Sequence, residues 1–149
     1  MISAQQIKDL REKTGAGISD IKKALEESGG DTAKAQAIIE ERLGSSAGKR
    51  AGRQTLAGTV DAYIHSNTRI GALVELHCET DFVSRNPSFK ALAHDIAMHI
   101  AAMEPADIAA LSAQPFVRDP GKTVADLVNE AIGRFGENIK IGKFVRFEL

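Results

Sequence analysis

The 149 residues contain no tryptophan, one tyrosine and a single cysteine. Aromatic side chains make up only 5% of the chain, so stacking platforms for single-stranded nucleic acid are not expected. The lone Cys78 excludes an intramolecular disulfide and fits a reducing compartment. A formal net charge of −1 gives no general attraction for phosphate backbones, so direct DNA or RNA binding is not expected. No apolar run is long enough to span a membrane, and Met1 to Gln6 lacks the charged and apolar regions of a leader. Neither GxxxxGK[ST] nor GxGxxG occurs, so no Gly-rich nucleotide loop is expected. Together these absences point to a cytoplasmic chain without a membrane partner. Hydrophobic residues at 43% suffice for a core.

Residues 1–43 read as a module of three short helices. Ser3 and Gln6 form a capping box, Ile7 and Leu10 share a face, and Gly15 lies just past the helix end. Ser19 is expected to cap a second helix with Ile21, Ala24 and Leu25 inward, stopped at Gly29-Gly30. Asp31 caps a third, with Ala35, Ile38 and Ile39 inward. None is long enough to persist alone, so the three must pack together. Glu26, Glu27, Glu40 and Glu41 make poor faces for phosphate, which argues against a DNA-reading bundle.

Residues 44–55 are rich in Gly and Ser and carry Lys49, Arg50 and Arg53 with no acid. They read as a basic linker or frayed helix and the main domain boundary, either a solvated tether or a contact for an acidic partner or RNA.

Residues 56–149 form the α+β core of the chain. Val60, Ala62 and Ile64 alternate with Asp61 and Tyr63, and His65 to Arg69 suits a hairpin connection. The next strand places Ala72, Val74, Leu76 and Cys78 on one face. Asn86-Pro87 opens a helix carrying Phe89, Leu92, Ala93, Ile96, Ile100 and Met103 at helical spacing. Residues 104–122 hold three of the four prolines and read as loop, with one helical turn near Ile108. Thr123 and Asp126 cap a last helix that Gly136 stops. The terminal strand sets Ile141, Val145 and Phe147 against Phe144 and Arg146, which leaves Phe144 for a partner. The fold class is therefore α+β: helices first, then a small antiparallel sheet of about three strands with helices on one face.

Catalytic and metal patterns are weak. His94 and His99 stand five apart, about 140° around a helix, and share no face. His77, Glu79 and Asp81 would need ligands from elsewhere to hold a metal or to hydrolyse anything. Cys78 lies on the inward face of its strand, as an inert thiol does. No catalytic residue, cofactor or metal is expected, and a binding protein is favoured over an enzyme.

One stretch organises the rest: Cys78-Glu79-Thr80-Asp81-Phe82-Val83-Ser84-Arg85-Asn86-Pro87, between strand and helix. Its local residues admit two readings of Phe82. Either it folds back to plug the end of the core, or Asp81 and Phe82 form a probe for another protein.

Resemblance to a known family adds to this. Leu10 to Gly17, followed by Asp20 to Glu27, resembles the N-terminal signature of translation elongation factor Ts. Tyr63-Ile64-His65 and then Glu75 to Val83 resemble its core signature, and Gly136-Glu137-Asn138-Ile139 a third family segment. The resemblance implies a ubiquitin-associated-like three-helix module, a tether, and a core with an antiparallel sheet. It implies nucleotide exchange on the GTPase elongation factor Tu, with Thr80, Asp81, Phe82 and Val83 disturbing the partner's magnesium site and Phe82 as wedge. It also implies docking of the N-terminal module through Arg11, Thr14, Gly15, Gly17, Lys22 and Lys23. Ile18-Ser19 and Ile21 depart from common family residues at their positions. Short members resemble half of the longer core, so a homodimer is expected. The alternative from another class is an adaptor that binds a different helical partner without exchange; a small hydrolase using His77, Glu79 and Asp81 is a third.

Overall fold

The computed structural model describes all 149 residues. Helices α1 (Ala4–Thr14), α2 (Ile18–Glu27) and α3 (Thr32–Ser45) come first. The Ser3–Gln6 capping box opens α1, and Gly15 closes it at φ 70°, where a side chain would be strained. Asp31 caps α3 by accepting from the Ala33 and Lys34 amides. Helix α2 starts two residues earlier than expected: Gly17 is its cap, without a side-chain bond, and Ser19 lies inside the first turn. Leu10, Ile21, Ala24, Leu25, Ala35 and Ile39 form a small core of their own.

The larger core follows. Strands β1 (Ala57–Ile64) and β2 (Ile70–Cys78) form a hairpin. A one-turn helix α4 (Asp81–Ser84) leads to the long helix α5 (Pro87–Met103). Then come α6 (Ile108–Ala113), the short strands β3 (Pro115–Phe116) and β4 (Asp119–Thr123), α7 (Val124–Phe135) and β5 (Lys140–Glu148). The main sheet has the order β1-β2-β5 and is antiparallel throughout. Ala72, Val74, Leu76 and Cys78 of the central strand are buried against Phe89, Ala93, Ile96 and Ile100 of α5. Replacing a fully buried Phe89 by alanine typically costs about 3–5 kcal/mol. Helices cover one face of the sheet only.

Several expectations are corrected here. The basic linker 44–55 is not a free tether. A 3₁₀ turn at Ala47–Lys49 packs on α7, and Ala47 is buried in the larger core. The Asn138 side-chain amide donates to the Ala51 and Arg53 carbonyls at 3.3 and 2.8 Å. The proline-rich 104–122 region holds the expected helical turn, α6, but the remainder is not all loop, since it contributes most of the β3–β4 hairpin.

The third correction concerns β5. Val74 pairs with Phe144 but Leu76 pairs with Ile141, so two steps on β2 face three on β5. This is a β-bulge at Gly142-Lys143, and one extra residue inverts the alternation beyond it. The Glu75 carboxylate accepts the freed Lys143 amide at 2.8 Å. Consequently Phe144 packs on the core, while Val145 and Phe147 turn outward, the reverse of the expectation. Arg146 follows Phe144 inward, and its Nε donates to the Ala101 carbonyl at 3.0 Å. Met103, expected inward on α5, is exposed.

Candidate functional site

The connection from β2 to α5 is tied down at Cys78, Glu79 and Thr80 and buried at Val83 and Ser84. Cys78 is buried at the end of β2, and its thiol donates to the Thr80 carbonyl at 3.2 Å. Burial pushes the Cys78 thiol above its usual pKa, and the nearby Glu137 carboxylate adds to that, so it is no nucleophile. Glu137, just past α7, reaches across to the connection. Its Oε1 accepts the Glu79 and Thr80 amides at 3.1 and 3.0 Å, and its Oε2 accepts the Thr80 hydroxyl at 2.6 Å. Glu79 returns the contact: its Oε1 accepts the Asn138 amide at 2.7 Å, with Arg53 alongside at 3.6 Å. The two chain segments are thus cross-tied by charged acceptors on backbone amides, the stronger kind of hydrogen bond.

From this base α4 makes a single turn. Val83 points down and is 8% exposed; Ser84 is buried and donates to the Asp81 carbonyl at 3.1 Å. Phe82 points the other way and is 91% exposed. It does not plug the core. A large apolar ring held in water on an anchored turn loses solvation free energy that a partner's pocket would recover. Asp81 is exposed beside it.

The four residues expected to act together therefore divide. Asp81 and Phe82 face out, Thr80 is held by Glu137, and Val83 belongs to the core. His77, Glu79 and Asp81 do not converge. His77 Nε2 lies 3.5 Å from Glu75, Glu79 faces Asn138, and no group of three such side chains is placed to hold a metal ion.

The N-terminal set divides as well. Arg11, Gly15, Gly17, Lys22 and Lys23 are exposed. Thr14 is not: it is buried, and its hydroxyl donates to the Leu10 carbonyl at 2.6 Å. It closes α1 from inside instead of offering a surface. Ile21 is fully buried, so its departure from the family pattern changes the module's core, whereas Ile18 is exposed.

Comparison with known proteins fits this layout. The family model for elongation factor TS matches residues 79–149. Curated proteins named elongation factor Ts match nearly the full chain. That of Rubrobacter xylanophilus is 40% identical, with 97% of each chain covered. That of Leptospira biflexa is 40% identical over 99% of this chain and 98% of its own. That of Acetivibrio thermocellus is 41% identical over 99% and 90%. The chain belongs to the elongation factor Ts family.

Within this elongation factor Ts chain the matched span, 79–149, holds both the exposed turn and its anchors Glu137 and Asn138. The alignment with the R. xylanophilus factor runs over 190 positions, more than the 149 residues here, so that relative carries residues this chain lacks. Sequence reasoning missed Glu137 and Asn138 as site residues. Their signal was present only as a family segment, because spacing says nothing about a bond to a residue 57 positions away.

Proposed function

We propose that this chain is a guanine nucleotide exchange factor for elongation factor Tu. It binds the GDP complex, speeds GDP release, and is displaced as GTP enters. The observation that carries this reading is Phe82: a 91% exposed phenylalanine on a turn set between the anchored Thr80 and the buried Val83 and Ser84. Family membership supplies the partner; the anchored, exposed ring supplies the tool. Phe82 acts as a wedge that disturbs the partner's magnesium and phosphate site, with Asp81 beside it. Magnesium bridges phosphates to protein, so moving it leaves phosphate charge uncompensated and weakens GDP binding. Coupling is reciprocal: each tenfold taken from GDP affinity, about 1.4 kcal/mol, is taken equally from factor affinity by GDP. The factor itself then needs no catalytic group, metal or cofactor, and is not an enzyme.

In this reading Arg11, Gly15, Gly17, Lys22 and Lys23 form the docking face of the module, and Thr14 and Val83 support from beneath. The protein works as a cytoplasmic translation factor and as a homodimer. The dimer is supported by the uncovered sheet face, where Val60, Ile64, Leu73, Val145 and Phe147 are exposed together. The deciding experiment is release of a fluorescent GDP analogue from elongation factor Tu. Added chain should accelerate release in a saturable way. Binding to the GTPase without faster release would reject exchange and leave an adaptor.

A further inference from the structure

The three-helix module and the core have separate hydrophobic clusters, yet the seam between them is closely built. Gly133 sits inside α7, where a glycine costs about 1 kcal/mol relative to alanine. Its backbone does not need the freedom of glycine, for its φ is not positive. The reason is contact: a Cβ there would lie 2.7 Å from Leu43 Cα and closer still to its carbonyl oxygen. The end of α3 thus rests directly on α7. The next residue, Arg134, donates from Nε to the Thr14 carbonyl at 3.0 Å, capping an acceptor at the end of α1. On the other side of the seam Lys122 reaches from β4 between two helices. Its Nζ lies 2.9 Å from Glu40 of α3 and 3.1 Å from Glu130 of α7. Two carboxylates left facing each other without it would repel.

We propose that Lys122, Gly133 and Arg134 are positioning residues that lock the module to the core as a rigid arm, so that its docking face and Phe82 reach the GTPase together. The second half of that statement rests on the exchange reading above. A rigid two-point contact spares the ordering that a tethered module would need on binding. Loosening the lock leaves both contact surfaces intact. The bound complex then releases GDP at the native maximal rate, but more factor is needed to form it.

Two measurements on the full chain test this. Spin labels on Lys34→Cys and Lys90→Cys report the separation of module and core, with Cys78 buried and unlabelled, and labelled chain diluted in unlabelled chain. Exchange rates against factor concentration report function. The native protein should give one narrow distance. Gly133→Ala favours the α7 helix itself, so a merely helical role predicts a more stable, unchanged protein. The lock predicts instead that Gly133→Ala and Lys122→Met broaden the distance and raise the half-saturating concentration about tenfold, with the plateau rate kept. Lys122→Arg should restore both readouts. A broad native distance, narrow distances in the variants, or broadening with an unmoved half-saturating concentration would overturn the proposal. If the native chain fails to accelerate release at all, the exchange reading falls. The lock itself is then judged by the distances alone: narrow native and broad variants support it, any other pattern overturns it.

Discussion

Glu137 and Thr80, 57 residues apart in sequence, share two hydrogen bonds that end on both oxygens of one carboxylate. Oε1 takes the Thr80 amide at 3.0 Å and Oε2 its hydroxyl at 2.6 Å. The exposed turn that begins at Asp81 is held in place by this pair more than by its own four residues. A single helical turn is not stable alone.

Glu137→Ala is therefore expected to act at a distance. It removes the acceptor of the Glu79 and Thr80 amides, which costs about 1 kcal/mol because water reaches the exposed Thr80. Urea unfolding should show that loss, and GDP release should slow severalfold, although Glu137 need not touch the partner. Glu137→Gln retains one carbonyl acceptor and should fall between the two. Full exchange activity in the alanine variant would mean that the turn needs no anchor.

Phe82→Ala separates binding from folding. The ring is 91% exposed, so its removal should change stability by no more than about 0.5 kcal/mol. A buried aromatic anchor at an interface is commonly worth about 2 kcal/mol or more, so exchange should weaken roughly tenfold or further. Native release rates from this variant, with normal circular dichroism, would remove the wedge from the mechanism.

Much of this fold was legible in the sequence because its signals are local. The Ser3–Gln6 and Thr123–Asp126 capping boxes, the Asn86-Pro87 start and the stops at Gly15 and Gly136 each act within one helical turn. The alternation of β2 likewise identified the buried face correctly. What was not legible depends on contacts between distant residues. At the bulge at Gly142-Lys143 the side chains of Glu75 and His77 occupy the space a side chain at 142 would need, and no pattern within β5 reveals that. Residues 44–55 look like a tether by composition, but Asn138 and α7 hold them down. Thr14 and Val83 carry family signatures, yet one closes a helix and the other fills the core. A motif groups residues by shared history, and the fold then assigns them different physical tasks.

His99 sets an expected pH dependence. It is fully buried, with Nε2 2.9 Å from the Gln114 side-chain oxygen. Nδ1 accepts the Val117 amide at 3.2 Å. That pattern fits the neutral ring, and burial holds its pKa below the ordinary value, with the Gln114 bond opposing in part. Above about pH 6.5, the ordinary imidazole value, both folded and unfolded forms are neutral and the stability is complete. As pH falls below that, the unfolded chain takes up a proton that the folded chain resists, so stability declines toward the depressed native value. Urea titrations at pH 7.5 and 5.5 should show this decline, and His99→Gln should flatten it. An equal slope in both proteins would assign the effect to other groups.

The last prediction concerns the open face of the sheet. The bulge turns Val145 and Phe147 outward, where they meet Leu73 and Gly71 across β2, and Ile64 and Ala62 of β1 complete the rows. Phe147 is 68% exposed and Ile64 64%. Gly71 lies between them, and a Cβ there would stand 2.7 Å from Ile64 Cδ1, so the Ile64 side chain lies over the place of the missing one. A sheet whose helices cover one side needs a cover for an apolar second side, and another sheet supplies one at about 10 Å. A two-fold pair would place each Phe147 toward the partner's face, with the same residues on both sides. The expected mass by light scattering at micromolar concentration is twice 15.9 kDa. Phe147→Lys should halve it, because a lysine in a desolvated interface would be unpaired. Helical content should be unaffected, since the residue lies outside the core. The opposite result is equally clear: a native protein that scatters as a single chain, fully active in exchange, would reject the dimer and leave the apolar face to a different molecule.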